Sequence, residues 1–270
     1  MTVADFDPST LLAALPARRL GRPLVYLPTC ASTNDEVAAR ALAGAGEGLL
    51  VVAGVQTAGR GRRGRAWHSP AGDNLTFSML LRPALPARQA TPITLVAGAA
   101  LATSLAGLGF SPRLKWPNDV LLETADGPRK VAGILTEMAS EADQVRHVVL
   151  GVGINVNSEG FPDELAARAT SLCLVRGRRV DRGEVVAAFV RAFEPIYEHF
   201  VAHGPSAALA EWNRYAILGQ PCSIERGGRN MLGIAEGVDE AGALLIRTAT
   251  DDVISVHAGE VTWLSRASTG

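Results

Sequence analysis

The chain has 270 residues, 47% of them hydrophobic and 20% charged, with a formal net charge of −1. Those values suit a soluble globular protein with one large domain and a small one, and they exclude a general electrostatic case for nucleic-acid binding. The three cysteines, Cys30, Cys173 and Cys222, are scattered and form no C-x-x-C pair, which fits a reducing compartment with neither a disulfide framework nor a zinc site.

The first residues, "MTVADFDPSTLLAALPARR", lack the positive start and apolar core of a signal peptide, and no apolar run reaches membrane-spanning length, so a cytoplasmic protein is the expectation. Residues 1–23 read as a short helix or loose lead-in. "LVYLPTC" (24–30) reads as a strand, and "STNDEVAARALAGAG" as a helix with Val37, Ala38, Ala41 and Leu42 at helical spacing and Gly44 near its end. Within it, Thr33-x-x-Glu36 has the pattern of a capping box. Further strands are expected at 48–58 and 74–83, and a long apolar helix at 91–109. Three strand-like pieces follow at 113–123, 130–139 and 147–157. An amphipathic helix is expected at 181–204, interrupted at Pro195, and a shorter helix runs to about Tyr215. From 217 the texture changes to five short strands, "CSIE", "MLGIAEGV", "ALLIRT", "VISVHA" and "EVTWL", split by "RGGRN" and "DEAG" turns. That pattern predicts a small SH3-like β-barrel beyond a boundary near 216.

"GRGRRG" (59–64) matches the G-x-G-x-x-G spacing of dinucleotide-binding turns. The helix that such a turn requires is missing, because "RAWHSPAGDNL" is punctuated by Pro70, Gly72 and Asp73-Asn74. No Gly-Lys-Ser/Thr of a Walker loop is present. The remaining readings are a solvated charge run and a loop that folds around an anion, with glycine backbone and arginine forks facing phosphate. "KWPND" (115–119) reads either as a strand corner or as an amide and carboxylate that hold a nucleotide or Mg²⁺. Lys130, at the head of "KVAGIL", either snorkels to solvent or enters a cleft. Asn155 and Asn157 in "GVGINVN", and Gln56 before the glycine loop, are amides in apolar strands that need partners. The histidines form no metal-binding spacing, and no G-x-S-x-G elbow occurs.

In order, "STND", "QTAGRGRRGRAW", "KWPNDVLL", "KVAGILTEM" and "VVLGVGINVN" resemble the biotin–protein ligase family over about residues 30–157. The terminal β-region resembles that family's small C-terminal domain. The resemblance implies an α+β fold: a mixed sheet with helices on one face (residues 1–216) plus an SH3-like barrel (217–270). It implies ATP-dependent formation of biotinyl-5′-AMP, then transfer to a lysine of a biotin carboxyl carrier protein. The rival readings are a lipoate ligase-like acyltransferase and, from another class, a biotin-responsive repressor. Only about 25 residues precede the catalytic region, too few for the DNA-binding module of bifunctional members.

By resemblance, Lys130, Arg60 and Arg62 are the catalytic cations. Ser32, Thr33, Asn34, Gln56, Arg60, Gly61, Arg62, Lys130 and Gly133 match the biotin-binding positions. Arg62, Trp67, Lys115, Asn118 and Asn155 match the ATP side, and Asp119 the contact to Mg²⁺. The glycine loop would serve as a lid over the acyl-adenylate. No nucleic-acid or membrane partner is expected, and a homodimer is compatible with the reading.

Overall fold

A computed structural model describes residues 7–15, 19–67, 69, 72–226 and 229–264, and its strands form two sheets. Pro70 and His68 of the expected loop, and Gly227 and Gly228 of the expected turn, lie outside the described residues. The chain begins with α1 (Pro8–Ala14), β1 (Leu24–Cys30), α2 (Thr33–Leu42) and β2 (Leu50–Gln56). A 3₁₀ turn at Arg62–Gly64 precedes β3 (Leu75–Leu81), α3 (Ala87–Ala90), α4 (Ile93–Gly107), β4 (Pro112–Lys115) and β5 (Asp119–Leu122). The hairpin β6 (Arg129–Glu141) and β7 (Gln144–Ile154) follows, then α5 (Asp163–Ala166), α6 (Leu172–Arg176), α7 (Arg182–His203) and α8 (Ser206–Tyr215). The second sheet contains β8 (Pro221–Arg226), β9 (Arg229–Val238), β10 (Leu244–Arg247), β11 (Val253–Val256) and β12 (Val261–Trp263).

The large sheet has the order β1-β2-β3-β7-β6-β5-β4. Only β1 and β2 run parallel, because α2 supplies the crossover that returns the chain in the same direction; the other pairs are antiparallel. Alternation along the strands divides the core into two. Leu50, Val52, Met79, Leu81 and Leu150 face α4 and α7. Their neighbours Val51, Leu80 and Val149 face α2, through Val37 and Ala41. The sheet thus has its long helices on one face, as expected, and α2 alone covers part of the other. That exposes the rest of the second face beside the N-terminus of α2.

Three local expectations are corrected. The piece 113–123 is two strands, since Pro117 ends β4 and Asn118 turns the chain: its carbonyl accepts from Ile134 N–H (3.0 Å) and its amide donates to Ile134 O (2.8 Å). Helix α7 runs unbroken through Pro195. Phe189, Phe193 and Tyr197 stack along it with centroids 5.3 and 5.4 Å apart, and this buried column holds the helix where propensity would break it. Finally, Ser32 rather than Thr33 is the N-cap of α2 and makes no side-chain cap bond; its carbonyl accepts from Glu36 N–H at 3.1 Å. The Thr33 hydroxyl is turned elsewhere.

The segment 87–107 is long and apolar enough to cross a membrane by composition, yet it is mostly buried against the sheet, which accounts for that composition. The small sheet, ordered β11-β10-β9-β8-β12 and antiparallel throughout, has the strands expected of an SH3-like domain. It docks on the β4 end of the large sheet. Ile217 N–H donates to Leu114 O (3.0 Å), Trp116 Nε1 to Gly242 O (3.0 Å), and Thr91 Oγ1 to Ala241 O (3.1 Å).

Candidate active site

The uncovered part of the second sheet face is floored by glycine. Gly151 lies opposite Ser78 and Leu135, and Gly153 opposite Thr76 and Gly133. A Cβ on Gly153 would stand 2.5 Å from Trp67 Cε2, and one on Gly151 would stand 2.1 Å from Asn34 Oδ1. Two side chains of the expected site therefore lie flat on backbone that no other residue type would leave bare. Neither glycine was singled out from the sequence, although both stand in "GVGINVN" beside the asparagines that were.

At one end of this trough, the start of α2 meets β2 and β3. Thr33 N–H donates to Gln56 Oε1 (2.7 Å), and Thr33 Oγ1 lies 3.0 Å from the same oxygen. Ser78 Oγ lies 2.7 Å from Thr33 Oγ1 and 2.6 Å from Asn34 Oδ1. Asn34 Nδ2 donates to Glu137 Oε2 at 2.5 Å. Ser32, Thr33 and Asn34 are all buried. Ser78 and Glu137 escaped the sequence reading because a serine and a glutamate in strands carry no local signal; only strand register brings them to α2.

At the other end is a cluster of charge. Lys130 Nζ lies 2.6 Å from Asp119 Oδ1 and 5.6 Å from the Trp67 ring centroid, within cation–π range. A Cβ at Gly133 would stand 3.3 Å from both Lys130 Nζ and Trp67 Cζ3. Burial pulls the Arg62 guanidinium below its ordinary pKa, Arg63 and Arg65 add to that, and Asp119 opposes it. Burial likewise lowers the Lys115 ammonium; Asp119 opposes this, and the neighbouring Lys130, Arg168 and Arg65 reinforce it. Cations held together at such cost, with one carboxylate among them, make a site ready for an anion. Arg168 was not found from the sequence. It arrives because the loop before α6 pairs with the Lys130 backbone: Lys130 N–H donates to Arg168 O and Thr170 N–H to Lys130 O, both at 2.8 Å.

The glycine loop folds back on itself between the two ends. Gly61 N–H donates to Arg65 O (2.7 Å), Trp67 N–H to Gly59 O (2.9 Å), and Gly64 takes φ 72 at the turn. Arg60 grips Asp35 with both nitrogens, at 2.5 and 2.8 Å, and stands 3.8 Å from Glu137; the Asp35 bond holds its guanidinium above the usual range. Arg63 and Arg65 pair with Glu260, the residue just before β12. Asn118 and Asn155 use their amides on backbone, the latter donating to Thr170 O at 3.1 Å. Both thus frame the Lys130 strand. Arg62 and Asn118 also line a cavity of about 460 Å³ between the sheets, bounded by Trp116, Thr94, Gly242 and His257. Lys130 and Trp67 are not among its walls, so this cavity lies beside the trough.

A sequence profile described as the biotin/lipoate A/B protein ligase family matches residues 27–155, and one for the biotin protein ligase C-terminal domain matches 217–262. The biotin–[acetyl-CoA-carboxylase] ligase of Mycobacterium tuberculosis is 34% identical over 250 residues, which span 90% of each chain. The chain belongs to the biotin protein ligase family. The bifunctional ligase/repressor BirA of Bacillus subtilis is 37% identical over 246 residues, 90% of this chain and 74% of that one. Among solved structures, a biotin protein ligase from Aquifex aeolicus in complex with biotin and ATP superposes with a TM-score of 0.74 at 28% identity, covering 90% of this chain and 99% of that one. Both family profiles fall on the two sheets that build and flank the trough, so the biotin protein ligase likeness includes the small sheet as well as the large one.

Proposed function

We propose that this ATP-dependent biotin–protein ligase joins biotin to the AMP moiety of ATP in the glycine-floored trough, with Lys130, Arg62 and Lys115 as the cations that face the reacting anions. The observation that carries the reading is the Lys130 ammonium set on Asp119 beside Trp67, with Arg62 and Lys115 as charge neighbours of the same carboxylate. Activation brings a carboxylate against a triphosphate. Two unit charges about 4 Å apart repel by roughly 4 kcal/mol at an effective dielectric near 20, so cations at the meeting point decide the rate. The biotin carboxylate oxygen attacks the α-phosphorus and pyrophosphate leaves. A carrier lysine then attacks the acyl carbon and AMP leaves. Lys130 sits where it can neutralise the carboxylate and phosphoryl oxygens together. The hydroxyl and amide cluster at Thr33, Asn34 and Gln56 suits the ureido ring, and the Trp67 indole lying on Gly133 and Gly153 offers an apolar wall.

Mg²⁺ enters with ATP in this reading. Among the described residues no three His, Cys, Asp or Glu side chains converge, and Asp119 is held by Lys130, so one carboxylate beside substrate phosphates is the contact that fits. When bound, the ion offsets phosphate charge. The carrier is inferred to be a biotin carboxyl carrier protein, as the names of the ligase relatives imply, and a cytoplasmic setting accords with the three free cysteines.

The direct test supplies ATP and an apo carrier domain with labelled biotin or labelled lipoate. Label from biotin alone is expected; label from lipoate alone defeats the reading. The loop's part is tested separately. Arg62→Gly is expected to let biotinyl-5′-AMP escape, so that lysines of an added bystander protein become biotinylated while the parent labels only the carrier. Equal retention by the variant would remove Arg62 from the lid.

A further inference from the structure

The glycine loop is bonded to itself along its backbone and to the rest of the chain through side chains. Just before it, residues 57 and 58 prolong the pairing of β1 with β2: Thr57 N–H donates to Cys30 O (3.0 Å) and Ala58 N–H to Ala31 O (2.9 Å). There the two strands part. One leads into α2 at Thr33, and the other leads into the loop at Gly59. Among the described residues, the backbone bonds of 59–67 are internal: Gly61 to Arg65, Arg65 to Arg62 and Trp67 to Gly59, with Arg60 bridged to Ala66. A hairpin of this kind swings as a unit about its glycine junction unless side chains hold it.

The tie nearest the junction is Arg60. Its Nη1 donates to Asp35 Oδ2 (2.8 Å) and its Nη2 to Asp35 Oδ1 (2.5 Å), and two such bonds fix the plane of the guanidinium as well as its place. Asp35 stands in the first turn of α2, where a helix favours negative charge, and the Arg60 bond holds its carboxyl below the ordinary pKa. Glu137 makes a second route to the same turn: Oε1 is 3.8 Å from Arg60, and Oε2 accepts from Asn34 Nδ2. That turn forms the polar end of the trough. We propose that Asp35 is a positioning residue: through Arg60 it pins the base of the glycine loop to the head of α2 and so keeps the loop over the trough. Arg62, two residues beyond the pin, then stays among the cations around Asp119, while Arg63 and Arg65 reach Glu260. The inference rests on the loop being a lid over the adenylate.

Retention of the adenylate by the full chain is the test. Enzyme charged with labelled biotin and ATP, without carrier, is chased with unlabelled biotin, and the label left on the protein is followed. The Arg60 and Asp35 side chains are 40 and 52% exposed. Asp35→Asn is therefore expected to release biotinyl-5′-AMP about three- to fivefold faster than the parent, the upper range for an exposed ion pair of good geometry. Its thermal midpoint is expected to stay at the parent value, which separates positioning from loss of structure. Asp35→Glu keeps the carboxylate and is expected to release more slowly than Asp35→Asn. Arg60→Gln is expected to speed release by itself, and Asp35→Asn added to it to change nothing more, because the partner is already gone. Parental retention by Asp35→Asn, or a further acceleration of the same size in the Arg60→Gln background, overturns the proposal. Arg62→Gly tells the two readings apart. If it leaks while Asp35→Asn retains, only the pin fails; if both retain as the parent does, the loop is not a lid.

Discussion

Lys130→Ala is expected to abolish adenylate formation, lowering biotin-dependent pyrophosphate exchange by about a thousandfold or more. The size follows from what the ammonium opposes. It stands beside Trp67, 2.6 Å from Asp119, on the strand that contributes Gly133 to the trough floor. Removing it leaves a carboxylate and a triphosphate to approach with an unneutralised repulsion. The fold is expected to survive. The backbone bonds of residue 130 to Arg168 and Thr170 do not involve the side chain, and Lys115 and Arg62 remain as charge neighbours of Asp119. Circular dichroism and carrier transfer from preformed biotinyl-5′-AMP separate lost chemistry from lost structure. Exchange at the parent rate in a folded variant would remove Lys130 from the mechanism.

Gly153→Ala is the second large effect. The added methyl would stand 2.5 Å from Trp67 Cε2 and 2.8 Å from its Nε1, closer than two such atoms ever approach. Gly153 lies in a strand paired on both sides, with Thr76 and Gly133, so the backbone cannot yield. The indole must leave. It leaves readily, because Trp67 Nε1 is buried there without a hydrogen bond, a cost that departure relieves. Overpacking at such a site is worth about 1–3 kcal/mol, and here it falls on whatever shares the trough. Biotin affinity is therefore expected to drop about ten- to a hundredfold, with little change in urea midpoint, and the tryptophan emission of the ligand-free protein to shift to the red. Unchanged affinity together with unchanged emission would mean that the glycine floor plays no part.

Both predictions rest on residues whose legibility differed. Lys130 stood out as one charge before the apolar strand of "KVAGIL", and Arg60 and Arg62 as charge and glycine in the same six residues, but it was the family resemblance that marked them as site cations. The capping-box reading of Thr33 failed for a tertiary reason: its hydroxyl donates to Gln56 and accepts from Ser78, and so is held off the helix. The break expected at Pro195 failed because stacked aromatic rings bury the helix on both sides of it. Ser78, Glu137 and Arg168 were invisible, since nothing next to them in the chain marks them.

What the amino-acid order settled by itself was local: alternation and spacing gave most strands and helices, the change of texture after 216 set apart the five short strands, and linear motifs marked the cations and the head of α2. What only the tertiary structure decided was which of these meet. Strand register stacks Gly133, Gly151 and Gly153 into one floor, brings Glu137 to Asn34, and sets Asp119 against Lys130. The physical reason is range. Propensity and periodicity act over a few residues, whereas a pocket is made by side chains a hundred positions apart, and their contacts exist only once the sheet has fixed which strand lies beside which.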